Sequence, residues 1–159
     1  MDLRRLDEDE LPAFVDDLYL PFAREMADVD EYNALTDEDS VRESNVVYRR
    51  DQLSASDTRI WVAETGGDSR LVGYVCASVK ESPPIFTRGA TLSVAELYVV
   101  PDHRGRGVAD DLLDRAAAWG RERDCERLGL SVNAGNDRAR AFYEARGLEV
   151  RRLKLDRPL

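Results

Sequence analysis

Residues 96–109 read Glu96-Leu-Tyr-Val-Val-Pro-Asp-His-Arg-Gly-Arg-Gly-Val-Ala109. A β-branched run stops at Pro101, which has no N–H to give to a strand ladder. A turn with two glycines, Gly105 and Gly107, follows, and an amphipathic segment opens at Val108. Glycine there permits unusual backbone angles and close approach to a ligand. The first N–H groups of a helix lack internal acceptors and lie at the positive end of its dipole. With Arg104 and Arg106 beside them, these features form a cradle for a pyrophosphate. Two other phosphate loops do not fit. The pattern G-x-x-x-x-G-K-[S/T] is absent. A dinucleotide fingerprint needs a third glycine early in a βαβ unit, whereas Asp110 stands in that place and the stretch comes late in the chain.

Outward from this stretch, the chain reads as a mixed α/β protein. Residues 2–6 fit a short strand. Leu11, Phe14, Val15, Leu18, Tyr19 and Phe22 recur at helical spacing. The acids Asp7 to Glu10 suit the start of that helix. Thr36-Asp-Glu-Asp has capping-box form and introduces a weakly patterned helix over about 37–52. Ile60-Trp-Val-Ala and Leu71 to Val79 form a hairpin across the Gly66-Gly67-Asp68 turn. Pro83-Pro84 breaks the chain before a long strand over Ala90–Val100. Val108 to Arg123 is a helix with Val108, Leu112, Ala116 and Trp119 on one face. A strand at Leu128-Gly-Leu-Ser-Val leads to a short helix over Asn136–Arg146, closed by Gly147. A last strand is expected over Leu148–Leu155. The order β-α-α-β-β-β-α-β-α-β predicts helices on the faces of a mixed sheet.

Composition narrows the function. The 159 residues suit a single domain over 1–159, long enough for a real core. Hydrophobic residues make up 43 %, too many for a disordered chain. No apolar run is long enough to span a bilayer, and the acidic start does not read as a signal peptide. The two cysteines, Cys76 and Cys125, form neither a disulfide framework nor a metal site, which fits a reducing cytoplasm. The net charge is −9, but residues 1–58 hold 17 acids against 6 arginines while the remainder holds 15 acids against 17 bases. This argues against nucleic acid as partner. An acidic wall beside a site would steer a cationic substrate towards it, although a plain solvated acidic surface is the simpler reading. Only two lysines, Lys80 and Lys154, stand against 21 arginines, and there are 19 aspartates. That balance is halophile-like, or typical of a GC-rich genome, and predicts salt-dependent stability.

The segment Arg104-Gly-Arg-Gly-Val-Ala109, after its V-x-P strand end, resembles the acyl-CoA signature of the GNAT superfamily of N-acetyltransferases. The downstream run Asn136-Asp-Arg-Ala139-Arg-Ala-Phe-Tyr143-Glu-Ala-Arg-Gly147 is similar to that superfamily's N-x-x-A-x-x-F-Y-x-x-x-G segment. The two motifs are in order and about 30 residues apart. Ala109 replaces the commoner glycine, and Leu148 stands where phenylalanine is usual. The resemblance covers residues 59–155 by motif and 1–58 by element order alone. It implies the acyl-CoA N-acyltransferase fold, with a central sheet of about six to seven strands flanked by helices.

The resemblance also implies roles. The amides of Gly105, Arg106, Gly107, Val108, Ala109 and Asp110 would hold the pyrophosphate of acetyl-CoA, with no metal involved. The backbone of Leu97, Tyr98 and Val99 would pair with the pantetheine arm where the strand splays from its neighbour, and an amide near Val99 would act as an oxyanion donor. Asn136 would contact the same arm, or only cap its helix. Tyr143 would be the general acid for the leaving thiolate, against the alternative of a core tyrosine. Glu96 is the candidate base for an acceptor ammonium, against the alternative of a structural carboxylate. Arg104 and Arg106 would meet phosphates. For Arg138 and Arg140 a solvated helix face is favoured over contact with the 3′-phosphate, and for His103 solvent exposure is favoured over contact with CoA. Cys76 and Cys125 read as packing, and Trp61 and Trp119 as core or cleft lining. The implied activity is direct acetyl transfer to a primary amine of a small molecule or peptide. The competing readings are a non-catalytic acyl-CoA-binding sensor or partner module, and a protein N-terminal or lysine acetyltransferase. A homodimer is the family habit, with no exposed apolar stripe in the sequence that demands it.

Overall fold

The computed structural model describes residues 1–159. Five strands form one sheet in the order β1-β2-β3-β4-β5: β1 Asp2–Arg5, β2 Thr58–Glu64, β3 Leu71–Lys80, β4 Thr91–Val99 and β5 Arg127–Leu130. The first four run antiparallel, with the expected hairpin joining β2 to β3. β5 lies parallel to β4. A parallel neighbour needs a crossover, and here it is α4, Val108–Glu122. β3 is buried along almost its whole length, as its unbroken apolar composition requires of a central strand.

The opening helical segment is not one regular helix. α1 (Leu11–Phe14) passes through a wide π turn, Val15–Tyr19, into α2 (Leu20–Val29). Pro21 accounts for the turn: it has no N–H for the preceding helical carbonyl, and its ring would crowd that carbonyl in a tight helix. Glu10 closes the entry by accepting the Asp7 N–H at 3.1 Å. α3 (Glu38–Ser54) begins one residue later than its capping-box reading: Asp37, not Thr36, is the cap, accepting the Ser40 N–H at 2.9 Å. α5 spans Asp137–Glu144.

The sheet has five strands, not six or seven. Residues 148–159 form no regular element and are mostly exposed, with Val150, Leu153 and Leu155 on the surface. A strand needs a ladder partner, and the apolar alternation of this segment slips at Arg151-Arg152. One cluster of 28 buried side chains forms the core between the sheet and its helices. Trp61 and Trp119 belong to it, edge to face at 5.6 Å, so neither lines the cleft described below. No helix is long and apolar enough to cross a membrane.

Candidate active site

The site lies where the sheet comes apart. β4 pairs with β5 through Thr91↔Arg127, Leu92↔Leu128, Ser93↔Gly129 and Val94↔Leu130, and the pairing stops there. On its other side β4 stays paired with β3 to Gly73↔Val99. The register of that pair shifts between Cys76 and Ala77, leaving Ala95 as an extra residue. Such a bulge bends a strand and re-aims its side chains. Glu96 to Val99 therefore present an unpaired backbone edge. N–H groups alternate in direction along a strand, and that of Val100 goes to the Val72 carbonyl at 2.9 Å. The Val99 N–H consequently points to the open side.

A cleft of about 510 Å³ fills the gap. Every residue proposed from the sequence lines it except Arg106, which is exposed outside. Gly105 and Gly107 have φ of +72° and +83°, and nothing lies within 4 Å of where a side chain would start at either. Glycine is thus required by conformation, and the space in front stays open. The N–H groups of Gly105, Arg106, Gly107, Val108, Ala109 and Asp110 have no acceptor in the protein; the first amide bonded back is that of Asp111, to the Gly107 carbonyl at 3.0 Å. A row of unpartnered donors facing an open cleft, beside a bare strand edge, fits a pyrophosphate and its amide-bearing arm.

Arg104 departs from expectation. It lines the cleft, but its Nε donates to the Val99 carbonyl at 2.8 Å and its Nη2 to Glu25 at 2.7 Å. Arg138 reaches the other Glu25 oxygen at 3.1 Å. Glu25 thus ties α2 to the glycine loop and to α5. Arg140 lies outside, donating to the Ala134 carbonyl at 3.0 Å. His103 is not simply solvent-exposed: its side chain is 16 % accessible and lines the cleft. Asn136 caps α5, accepting the Ala139 N–H at 3.2 Å, and its Nδ2 is left without a protein partner. Asp110, in the first turn of α4, is bonded to Arg146, which holds its carboxyl below the usual range.

The two candidates for proton transfer share the cleft. The Tyr143 phenol has no partner, and burial pushes its pKa up, so it stays protonated. Glu96 is 15 % exposed. Its Oε2 accepts from Arg49 at 2.6 Å and from the Tyr74 hydroxyl at 2.5 Å, while Oε1 has no protein partner. Cys76 is inert packing, its thiol pushed up to about 11 by burial and the Glu96 charge. No group of three His, Cys, Asp or Glu side chains comes together to hold a metal.

Sequence reasoning missed the contributions of Phe22, Glu25 and Met26 from α2, the loop after β5, and Arg49. Phe22 was visible as the last member of the helical stripe. Glu25 and Arg49 carry no local signal, because their partners are distant in the chain.

The chain is similar to known proteins over most of its length. An uncharacterised N-acetyltransferase of Archaeoglobus fulgidus is 32 % identical over 149 residues, covering 93 % of this chain and 92 % of that protein. The crystal structure of a tetramutant of the BH1408 protein of Bacillus halodurans superposes with a TM-score of 0.88 over 100 % of both chains, at 17 % identity. A predicted acetyltransferase of Clostridium acetobutylicum, solved with acetyl-CoA, superposes with a TM-score of 0.74 at 20 % identity, over 98 % of this chain and 95 % of that one. These two structures are alike in fold. Residues 16–148 match the acetyltransferase (GNAT) family as a whole. With its splayed strand, glycine turn and free helix amides, the chain belongs to the acetyltransferase (GNAT) family.

Proposed function

We propose that the protein transfers an acetyl group from acetyl-CoA directly to a primary amine, with Glu96 as base and Tyr143 as acid. One observation carries the reading: the free Oε1 of Glu96 and the unpartnered phenol of Tyr143 line the same cleft as the helix amides. Gly105 to Asp110 would hold the pyrophosphate, and Leu97 to Val99, with Asn136 Nδ2, the amide-bearing arm. Acetyl-CoA supplies the acetyl group as a thioester, so that a C–N bond forms as the C–S bond breaks. An amine arrives mostly as ammonium and is a nucleophile only after losing a proton; Glu96 Oε1 takes it, directly or through water. Tyr143 gives a proton to the departing sulfur and recovers one from the nitrogen that has become an amide. The Val99 N–H, fixed by the strand, stabilises negative charge on the acetyl oxygen. The carboxylate of Glu96 in the cleft favours a cationic acceptor.

The test is free-thiol release from acetyl-CoA with pooled polyamines, aminoglycosides, amino acids and short peptides, in low and molar salt. Release that depends on one pool is expected. Acetyl-CoA binding without release in any pool would favour a sensor module instead.

A further inference from the structure

α3 is an unusual helix: its two buried residues are Asn45 and Arg49, and the Arg49 side chain is wholly inaccessible. Packing does not require this. A buried ion pair can often be replaced by apolar residues at no loss of stability. The guanidinium is instead aimed. Nε donates to Asn45 Oδ1 at 3.2 Å, one turn back, and Nη1 to Gln52 Oε1 at 2.9 Å, one turn on. Nη2 is left for Glu96 Oε2 at 2.6 Å. Aromatic rings enclose the cation: Tyr19 at 4.9 Å, Phe14 at 5.4 Å, Tyr48 at 5.5 Å and Tyr74 at 5.9 Å from its central carbon. They exclude water and strengthen the charge interaction.

We infer that Arg49 is a positioning residue for acetyl transfer: with Tyr74 it holds one oxygen of Glu96 so that the other is left to receive the acceptor's proton. This rests on the reading of Glu96 as base. Burial disfavours a charged carboxylate, and a bonded cation offsets that cost. The titratable groups around it are Tyr74 and Cys76 of β3 and Tyr19 of the π turn, with Tyr48 of α3 against Arg49; Arg49 is the one cation bonded to it. Burial and the Glu96 charge push Tyr74, Cys76 and Tyr19 upward, so they stay protonated. For Arg49, burial disfavours the charge but Glu96 more than offsets it, and its pKa is raised.

The experiment compares the full-length protein with its Arg49→Met, Arg49→Lys and Glu96→Gln variants. The Glu96 carboxyl is followed by NMR in carbon-13-glutamate-labelled protein, with Glu96→Gln assigning the resonance, and thiol release is measured across pH with the amine pools above. Removing the cation bonded to Oε2 favours protonation, so in Arg49→Met the Glu96 resonance should respond to pH over a higher range than in the wild type. The acid limb of kcat/KM should follow it. Arg49→Lys keeps the charge but loses the fork to Asn45 and Gln52, and should lie between the two; it serves alone if Arg49→Met does not fold. A role in packing alone would lower Tm and activity at every pH and leave the Glu96 titration in place, which would overturn the inference. Full turnover in Glu96→Gln would overturn the base assignment on which it rests, whatever the NMR titration shows.

Discussion

The two halves of β4 differ in what surrounds them. Thr91–Val94 is paired on both sides, and Leu92 and Val94 are buried in the core. Glu96–Val99 is paired on one side only and faces a cleft on the other. One residue, the bulged Ala95, separates them. The first half uses its backbone to hold the sheet together. The second leaves the same groups for a ligand, which is affordable because β3 is still bonded behind it. Stability and function are thus divided along a single strand.

The largest test of this division lies in the open half. Tyr143→Phe should lower kcat by about 10²–10⁴-fold, the usual range for an acid–base group, with Tm nearly unchanged; turnover rates and a thermal melt check both. The paired half should respond the other way. Leu92→Ala should cost about 2–5 kcal/mol of stability, read by denaturant unfolding, while kcat per folded molecule stays near wild type. Gly107→Ala sits between these cases. A non-glycine residue at its left-handed backbone angle costs roughly 1–2 kcal/mol, and if the strain shifts the amide row, KM for acetyl-CoA should rise about tenfold while kcat changes little. The smallest effect concerns Asp110 and Arg146, which fasten α4 to the turn that closes α5. The folded pKa of Asp110 is depressed, so this tether is fully present above the ordinary carboxylate value and is lost as pH falls through the depressed one. Hydrogen exchange in α5 should therefore quicken relative to β3 at low pH. Asp110→Asn should show that loosening at neutral pH, and equal protection of α5 in variant and wild type would remove the tether from the account.

Much of the open half was legible in the sequence, because its requirements are local. Gly105 and Gly107 announce a turn that needs positive φ, and Val108 to Trp119 announce the helix whose amides follow it. The helices and the β2–β3 hairpin were legible for the same reason: periodicity and turn residues act over a few positions. What failed depends on partners far along the chain. Leu148–Leu155 has strand-like composition but finds no ladder. Arg104 reads as a free phosphate ligand until α2 brings Glu25 within 2.7 Å. Arg49 reads as one more charge on a polar helix, and only the packing of α3 onto the sheet shows that it is enclosed. The Ala95 bulge left no mark in composition.

The π turn at Val15–Tyr19 also has a consequence for counting. Phe14 and Phe22 both pack on the Tyr74 ring, at 4.8 and 6.2 Å between centroids. Eight residues of unbroken α-helix would set those side chains about 80° apart around the axis. The wide turn absorbs that angle by spending one extra residue, and so brings Phe14, on the Arg49 side, into phase with Phe22, on the cleft side. Deleting one residue there would turn the aromatic wall around Arg49 and the face carrying Glu25 away from each other. The length of this segment, more than its composition, sets the phase between the two faces.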